Sequence, residues 1–178
     1  MGWSQIFLKI SINDVDTDGI GESEVAGYEG QIILADFDWS MKGRDVIKGT
    51  GASRTVIRRV NSETVSVTKR FDAASVTLMT AMRERKRVKS AAITVAHGFA
   101  SSKADGGLRN AFILELLDGY IEKIDLDLVS DGKAMVLQEE LTIRYSKLNI
   151  KVFEVDVNGR YTPKCSTFQC DVQSQTLA

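Results

Sequence analysis

The sequence predicts a mainly β chain that contains one α-helix. Along most of its 178 residues, apolar and polar side chains alternate with a period of two, which is typical of strands with two different faces. The period changes to about 3.6 within Val67–Met82, where a strand ends and an amphipathic helix begins. Antiparallel strands in this number must have their edges protected, either by closing a barrel or by pairing between subunits.

The helix is predicted from its start signal and from its apolar spacing. Either Asp72 or Ser75 can cap it by accepting a hydrogen bond from a free backbone N–H. Apolar residues then recur every three positions, so we expect one stripe to pack the helix on the sheets. The stripe consists of Val76, Met79 and Met82.

Composition limits the classes of function. Hydrophobic residues make up 43% of the chain, enough for a core, and the net charge of −1 argues against a general nucleic-acid binder. The basic run at 83–89 fits the dipole at a helix C-terminus, and its interleaved Glu84 favours that role over binding an anionic surface. No run approaches the ~18 apolar residues of a membrane helix. The first residues lack the layout of a signal peptide, so we expect a soluble cytoplasmic chain without a cleaved signal.

The first strand is predicted at Ile6–Ile12, and an acidic loop follows it. The loop begins like a calcium site with the D-x-D-x-D-G spacing. Position twelve of that pattern is Val25, where a bidentate Glu is needed, and a strand precedes the loop in place of a helix. The sequence therefore favours a solvated connection over a calcium site. The residues concerned are Asp14, Asp16, Asp18 and Gly19.

The second strand, Gly30–Trp39, has one apolar face and one face that becomes acidic. We predict that the apolar face lies in the core. It comprises Ile33, Ala35, Phe37 and Trp39. The other face must meet water or a basic partner, because it continues from Ile32 and Leu34 to Asp36 and Asp38.

The remaining segments are assigned from period and turn chemistry. Met41–Arg54 has no clear period and is predicted to be a long exposed loop, a feature that is often functional. Asp118-Gly119 and the break near Ser146-Lys147 each indicate a hairpin, and Asn158-Gly159 indicates a turn. The corresponding strands are Glu63–Arg70, Ala91–Gly98, Arg109–Leu117, Tyr120–Leu128, Met135–Tyr145 and Leu148–Val155, with a flexible turn at Ser101–Gly107 and a polar tail at the end.

No catalytic, cofactor or metal site is predicted. His97 is the single histidine, and the sequence has neither a G-x-S-x-G elbow nor a phosphate-binding glycine motif. The carboxylates are scattered, so we predict no enzyme. Cys165 and Cys170 cannot complete a zinc site with one histidine. They are either free thiols or a disulfide formed after export.

The order of elements and several local motifs resemble the haemolysin co-regulated protein (Hcp) family, the tube proteins of bacterial type VI secretion systems. The resemblance covers roughly residues 4 to 160. It is carried by Gly21-Glu22-Ser23, Gly30-Gln31-Ile32, Phe37-Asp38-Trp39, the run VTKRFDAASVTL at 67–78, and ELTIRY at 140–145 with Leu148. The sequence departs from the family at Val76, where Pro is frequent, and at Arg85-Lys86, where Gly is common at the helix end.

The resemblance implies a compact β-barrel of two antiparallel sheets with one flanking α-helix, assembling as a hexameric ring. Stacked rings would form a tube that a contractile sheath drives out of the cell beneath a VgrG-type spike, with effectors in the lumen. The barrel domain would span residues 1–160 with an extended loop at 41–54, and residues 161–178 would be a C-terminal tail. Neither a cofactor, nucleic acid nor membrane insertion is implied.

The same resemblance suggests which residues line the lumen and which contact other subunits or rings. Asp36 and Asp38 fall at lumen-lining positions, and the extended loop reaches a neighbouring subunit or ring. Candidate contacts between subunits or rings are Lys69, Arg70, Lys42, Arg44 and Asp45. The alternative function is a phage-type tail tube protein or a ligand- or effector-binding barrel of the same fold.

Overall fold

The computed structural model describes residues 3–13, 19–49, 54–98, 107–130 and 132–172. This part of the chain contains eleven strands and one helix. In chain order they are β1 (Trp3–Ile12), β2 (Ile32–Leu34), β3 (Asp36–Trp39), β4 (Lys42–Lys48), β5 (Thr55–Asn61), β6 (Thr64–Arg70), α1 (Ala73–Arg83), β7 (Val88–Gly98), β8 (Arg109–Ser130), β9 (Met135–Arg144), β10 (Lys147–Val155) and β11 (Tyr161–Asp171). The calcium-like acidic positions 14–18 and most of the predicted turn at 101–107 lie outside the described residues.

Two antiparallel sheets share the strand β8, which is 22 residues long. Its first half pairs with β7 and β10 in a sheet with the order β2-β1-β7-β8-β10-β11. Its second half pairs with β9 in a sheet with the order β8-β9-β6-β3. The hydrophobic core lies between the two sheets, and the prediction of a mainly β fold with one helix is confirmed.

Within the described residues, the hydrogen-bonded path of strands runs from β2 to β3 and does not close into the barrel that the resemblance implied. These two end strands follow one another in the chain, separated by Ala35, whose N–H donates to the carbonyl of Thr68 (2.7 Å). At this break, the side chains that point into the core change from the even-numbered to the odd-numbered residues. Ile32 and Leu34 are buried, whereas Phe37 and Trp39 face the core in β3. The predicted core face is therefore right for β3 and wrong for β2, where Ile33 is 42% exposed.

The predicted hairpin at Asp118-Gly119 is wrong, because β8 continues through it. Asp118 adopts a positive φ of 56°, and the strand bends there from one sheet into the other. Gly119 is needed at this bend, since a Cβ would lie 2.0 Å from the carbonyl oxygen of Arg144. An Asp-Gly dipeptide favours left-handed backbone. This conformation occurs at a bend within one strand as well as at the chain reversal of a hairpin.

The second predicted hairpin is also wrong, although the break at Ser146 is confirmed. The strands β9 and β10 do not pair with each other. Each runs antiparallel to β8, β9 along its second half and β10 along its first half.

The helix α1 begins where predicted, with Asp72 as the N-cap and Ser75 completing a capping box. Its buried face differs from the predicted stripe: Val76 is 62% exposed and Leu78 is fully buried. The other buried helix residues are Ala74, Ser75 and Ala81. The helix is rotated relative to the prediction because Ser75 is held inward by hydrogen bonds to buried charged groups.

The helix ends in a Schellman arrangement. The N–H groups of Lys86 and Arg85 donate to the carbonyls of Ala81 (2.9 Å) and Met82 (3.0 Å). Arg85 takes the left-handed position with a φ of 53°, a conformation that glycine adopts more readily.

The segment predicted to be a long loop instead forms the strand β4, which pairs with β5 in a separate two-stranded sheet. We call these two paired strands, Lys42–Lys48 and Thr55–Asn61, the arm. Its ladder runs from Lys42 opposite Asn61 to Lys48 opposite Thr55. Ile47 and Val56 are directly opposite each other and are 50% and 57% exposed. The arm pairs with no strand of the two larger sheets in the described residues, so its pattern was not fixed by a shared core face.

The predicted tail also contains a strand, β11, which pairs along β10 after the confirmed turn at Asn158-Gly159. It is an edge strand with most side chains exposed, which explains its lack of a clear period. Cys165 and Cys170 are free thiols. Five residues of strand separate them by roughly 16 Å, far beyond the reach of a disulfide.

We expect Gly119→Ala to lower the free energy of unfolding by about 1–3 kcal/mol, because the new methyl group would meet the backbone of Arg144. Urea denaturation measures the change. Gly43→Ala is the matched control, since a Cβ there has nothing within 4 Å. Equal stability of the two variants would contradict the role assigned to the bend.

Candidate functional site

A buried cluster of charged groups joins α1 to the second sheet. The Lys69 ammonium, which is fully buried, lies 2.7 Å from Asp72 Oδ1 and 2.9 Å from Glu139 Oε1. It also donates to the Ser75 hydroxyl (2.9 Å) and to the backbone carbonyl of Arg70 (2.8 Å). Residues of β6, α1 and β9 therefore meet at one ammonium group.

Two members of this cluster also form the helix cap. The Ser75 N–H donates to Asp72 Oδ1 (3.3 Å), and the Asp72 N–H donates to Ser75 Oγ (3.0 Å). Ser75 Oγ donates in turn to Glu139 Oε1 (2.9 Å). The Lys, Asp and Ser of the run VTKRFDAAS are thus one structural unit, which explains why these residue types occur at this spacing.

This geometry corrects the prediction that Lys69 contacts a neighbouring subunit. Its side chain has no exposed surface, so it stabilises the subunit from within. Arg70 is exposed at the end of β6, and its role in a contact stays a prediction. Sequence reasoning missed Glu139, although it stands in the apolar stripe of β9 between Leu137 and Leu141, where a carboxylate requires a buried partner.

Three side chains are linked at the base of the arm. Trp39 Nε1 donates to Ser62 Oγ and to Tyr145 Oη, both at 2.9 Å, and the two oxygens lie 2.5 Å apart. Burial raises the pKa of the Tyr145 hydroxyl. Since Trp39 and Ser62 flank the arm in the chain, this cluster joins the two ends of the arm to each other and to Tyr145.

The outer face of the second sheet carries a row of carboxylates. Asp36, Thr68, Glu140 and Asp125 are successive register partners across its four strands. Asp38 is exposed in the next row, opposite Ser66, whose hydroxyl lies 3.3 Å from that of Thr142. Lys123 forms an ion pair with Asp125, and hydrogen bonding to that carboxylate raises the pKa of Lys123. Asp36 and Asp38 thus stand on an exposed acidic surface, as predicted from the alternation of the strand.

The remaining predicted contact residues lie on the arm. Lys42, Arg44 and Asp45 are exposed on β4. The arm therefore presents charged groups together with the apolar pair Ile47 and Val56.

His97 is half-buried on β7. Its Nδ1 lies 3.2 Å from Ser4 Oγ, and its ring centroid is 5.5 Å from that of Tyr161. No carboxylate in the described part of the chain hydrogen-bonds to the ring. Within the same residues, no cluster of three or more potential metal ligands occurs, and no helix is long and apolar enough to cross a membrane.

Solved structures with this fold come from type VI secretion. A structure titled as a type six secretion system protein aligns with a TM-score of 0.72 and 15% identity, covering 97% of this chain and 98% of the other. Hcp1 from Salmonella typhimurium aligns with a TM-score of 0.68 and 18% identity, covering 96% of each chain. Secreted Hcp3 from Pseudomonas aeruginosa gives 0.58 and 18%, covering 95% of this chain and 98% of that protein. The fold is that of this class of secretion proteins.

The family itself is shown by sequence. The family model described as "Type VI secretion system effector, Hcp" matches residues 7–152. No curated protein matches the chain in a sequence search. The chain belongs to the Hcp family and is a type VI secretion tube protein.

We expect Lys69→Met to lower the free energy of unfolding by about 3–5 kcal/mol, because it leaves the buried carboxylate of Glu139 and the partly buried carboxylate of Asp72 without their cation. Guanidinium denaturation checks this. The control is Arg70→Ala, an exposed neighbour, for which we expect a change within about 0.5 kcal/mol. A Lys69→Met variant as stable as the control would show that the cluster does not stabilise the subunit.

Proposed function

We propose that this protein is a structural subunit of the type VI inner tube, forming six-membered rings that stack and are exported. Membership of the Hcp family supports this assignment. The observation that carries it is the arm, which stands as a separate two-stranded sheet with an apolar cross-strand pair exposed. An isolated two-stranded hairpin is marginally stable in water. The arm is therefore best explained as an element that packs against the surface of another copy.

A ring built head to tail needs two different complementary patches on each subunit. The arm supplies one of these patches, because its apolar pair Ile47 and Val56 is exposed in a single subunit. The exposed side chains of Lys42, Arg44 and Asp45 on β4, with Arg70, are the charged groups we assign to contacts between subunits or rings.

Asp36 and Asp38 are proposed to line the lumen. Both are exposed on the acidic outer face of the second sheet. Carboxylates are stable on the wall of a water-filled channel, and a dense row of them would be unfavourable in a dry contact without basic partners. The acidic row would make the wall attractive to basic cargo.

The protein is proposed to act structurally and without catalysis. Its partners would be further copies of itself, a VgrG-type spike, the contractile sheath and effectors carried in the lumen. Export would occur through the type VI apparatus without a cleaved signal peptide. Detection of the protein in culture medium, lost when the contractile apparatus is disabled, tests the whole assignment.

We expect the purified protein to form rings of six subunits, visible by negative-stain microscopy and by a particle mass six times that of the subunit. In a cryo-microscopy map of the ring, both Asp36 and Asp38 should face the central channel. A strict monomer at high concentration would contradict the tube and favour a ligand-binding barrel.

We expect the double substitution Ile47→Thr/Val56→Thr to weaken assembly at least tenfold while leaving the monomer folded, because it removes the apolar pair and keeps β-branched residues. Analytical ultracentrifugation measures the association and circular dichroism the fold. Val157→Thr, at a fully exposed turn position, is the control. Unchanged association of the arm variant would remove the arm from the contact.

A further inference from the structure

One cleft has no part in the contacts described so far. It lies where the C-terminus of α1 meets the bend of β8 and the start of β10, and its volume is about 810 Å³. Its apolar lining includes Ala81, Met82, Tyr120 and Ile121. A space of this size, partly apolar and partly charged, is large enough to hold a folded element of another molecule.

The rim of the cleft is rich in cations. Arg85, Lys86, Arg87 and Lys147 all line it, beside the carboxylates of Asp118 and Glu122. Glu122 forms an ion pair with Arg144. Lys86 forms an ion pair with Glu84, and Arg87 forms one with Asp118. Arg85 and Lys147 are exposed and take part in no ion pair within the described ranges. Arg85 also adopts a left-handed backbone conformation that is unfavourable for a residue with a Cβ, and this places an unpaired guanidinium at the rim.

The complementary surface lies at the far end of the same strand. Four large apolar side chains, each 41–62% exposed, share one face of the β8–β9 ribbon. They are Leu126, Leu128, Met135 and Leu137. Leu128 is directly opposite Leu137, and the same face continues inward to Leu141 in the core. We call these four residues with Asp127 the ribbon tip.

The ribbon tip carries charge opposite to that of the cleft. Asp125 and Asp127 lie on its polar face, where Asp125 is paired with Lys123, and residues 124–133 hold three Asp and one Lys. An acidic ribbon with one apolar face matches a cleft with an apolar floor and a cationic rim. A subunit cannot fill its own cleft, because eight residues of strand place Leu128 about 25 Å from Tyr120.

We propose that the ribbon tip of one copy docks in the cleft of another copy, as a heterologous contact of the tube. This inference rests on the proposed tube function and names the surfaces for one of its contacts. In this contact the four apolar side chains cover the floor formed by Met82, Tyr120 and Ile121. The unpaired Arg85 and Lys147 meet the carboxylate of Asp127.

Charge reversal tests the contact. Asp127→Lys and Lys147→Glu should each weaken self-association of the full chain at least tenfold, measured by analytical ultracentrifugation at two salt concentrations. Combining both changes in one chain should restore most of the association, because the reversed pair can form again. A folding defect would not give this recovery. If Lys147→Glu fails to fold, Arg85→Glu provides the same test at the second cation.

The matched controls are Glu154→Lys and Lys164→Glu, which make the same charge changes at exposed positions on β10 and β11. We expect them to leave association within twofold of the unmodified protein. Leu128→Ser should weaken association without a change in circular dichroism, since it removes an exposed apolar group. Rings that form equally well in the reversal variants and the controls would overturn this contact and leave the tube function standing. An unmodified protein that never associates would overturn both.

Discussion

The buried ammonium of Lys69 is the interaction on which the subunit depends. It is surrounded by the carboxylates of Asp72 and Glu139 and by the Ser75 hydroxyl, all within 2.9 Å. Charges this deeply buried are tolerated when they are paired and hydrogen-bonded, and removing one partner leaves the others uncompensated. The cluster therefore fixes the start of α1, its rotation and its position on the second sheet.

The rotation of the helix shows how a polar group can decide a packing face. Ser75 points inward because it hydrogen-bonds to the cluster, so Leu78 and Ala81 enter the core and Val76 faces solvent. Apolar spacing alone favoured a different stripe. The capping box and the buried ammonium act as one unit, and the helix follows them.

Strand β8 links the core to the proposed assembly surfaces. Its bend at Gly119 carries it from one sheet to the other and forms part of the cleft beside the helix C-terminus. Its far end extends beyond the core and exposes apolar side chains with β9. Together with the arm, this gives the subunit two ribbons that each carry exposed apolar side chains, which another copy can cover.

The sequence by itself determined the class of fold, the single helix and its cap, the acidic face at Asp36 and Asp38, and the family resemblance. These features depend on local spacing and on chemistry within a few residues, which a sequence displays directly. Tertiary structure alone decided that β8 runs through Asp118-Gly119, that the segment after Trp39 is a ribbon, and that Lys69 is buried. In each case the deciding partner is distant in the chain: Arg144 at the bend, β5 along the arm, and Glu139 at the ammonium. A lysine that alternates on a strand carries no local sign of whether a carboxylate seventy residues later will meet it in the core.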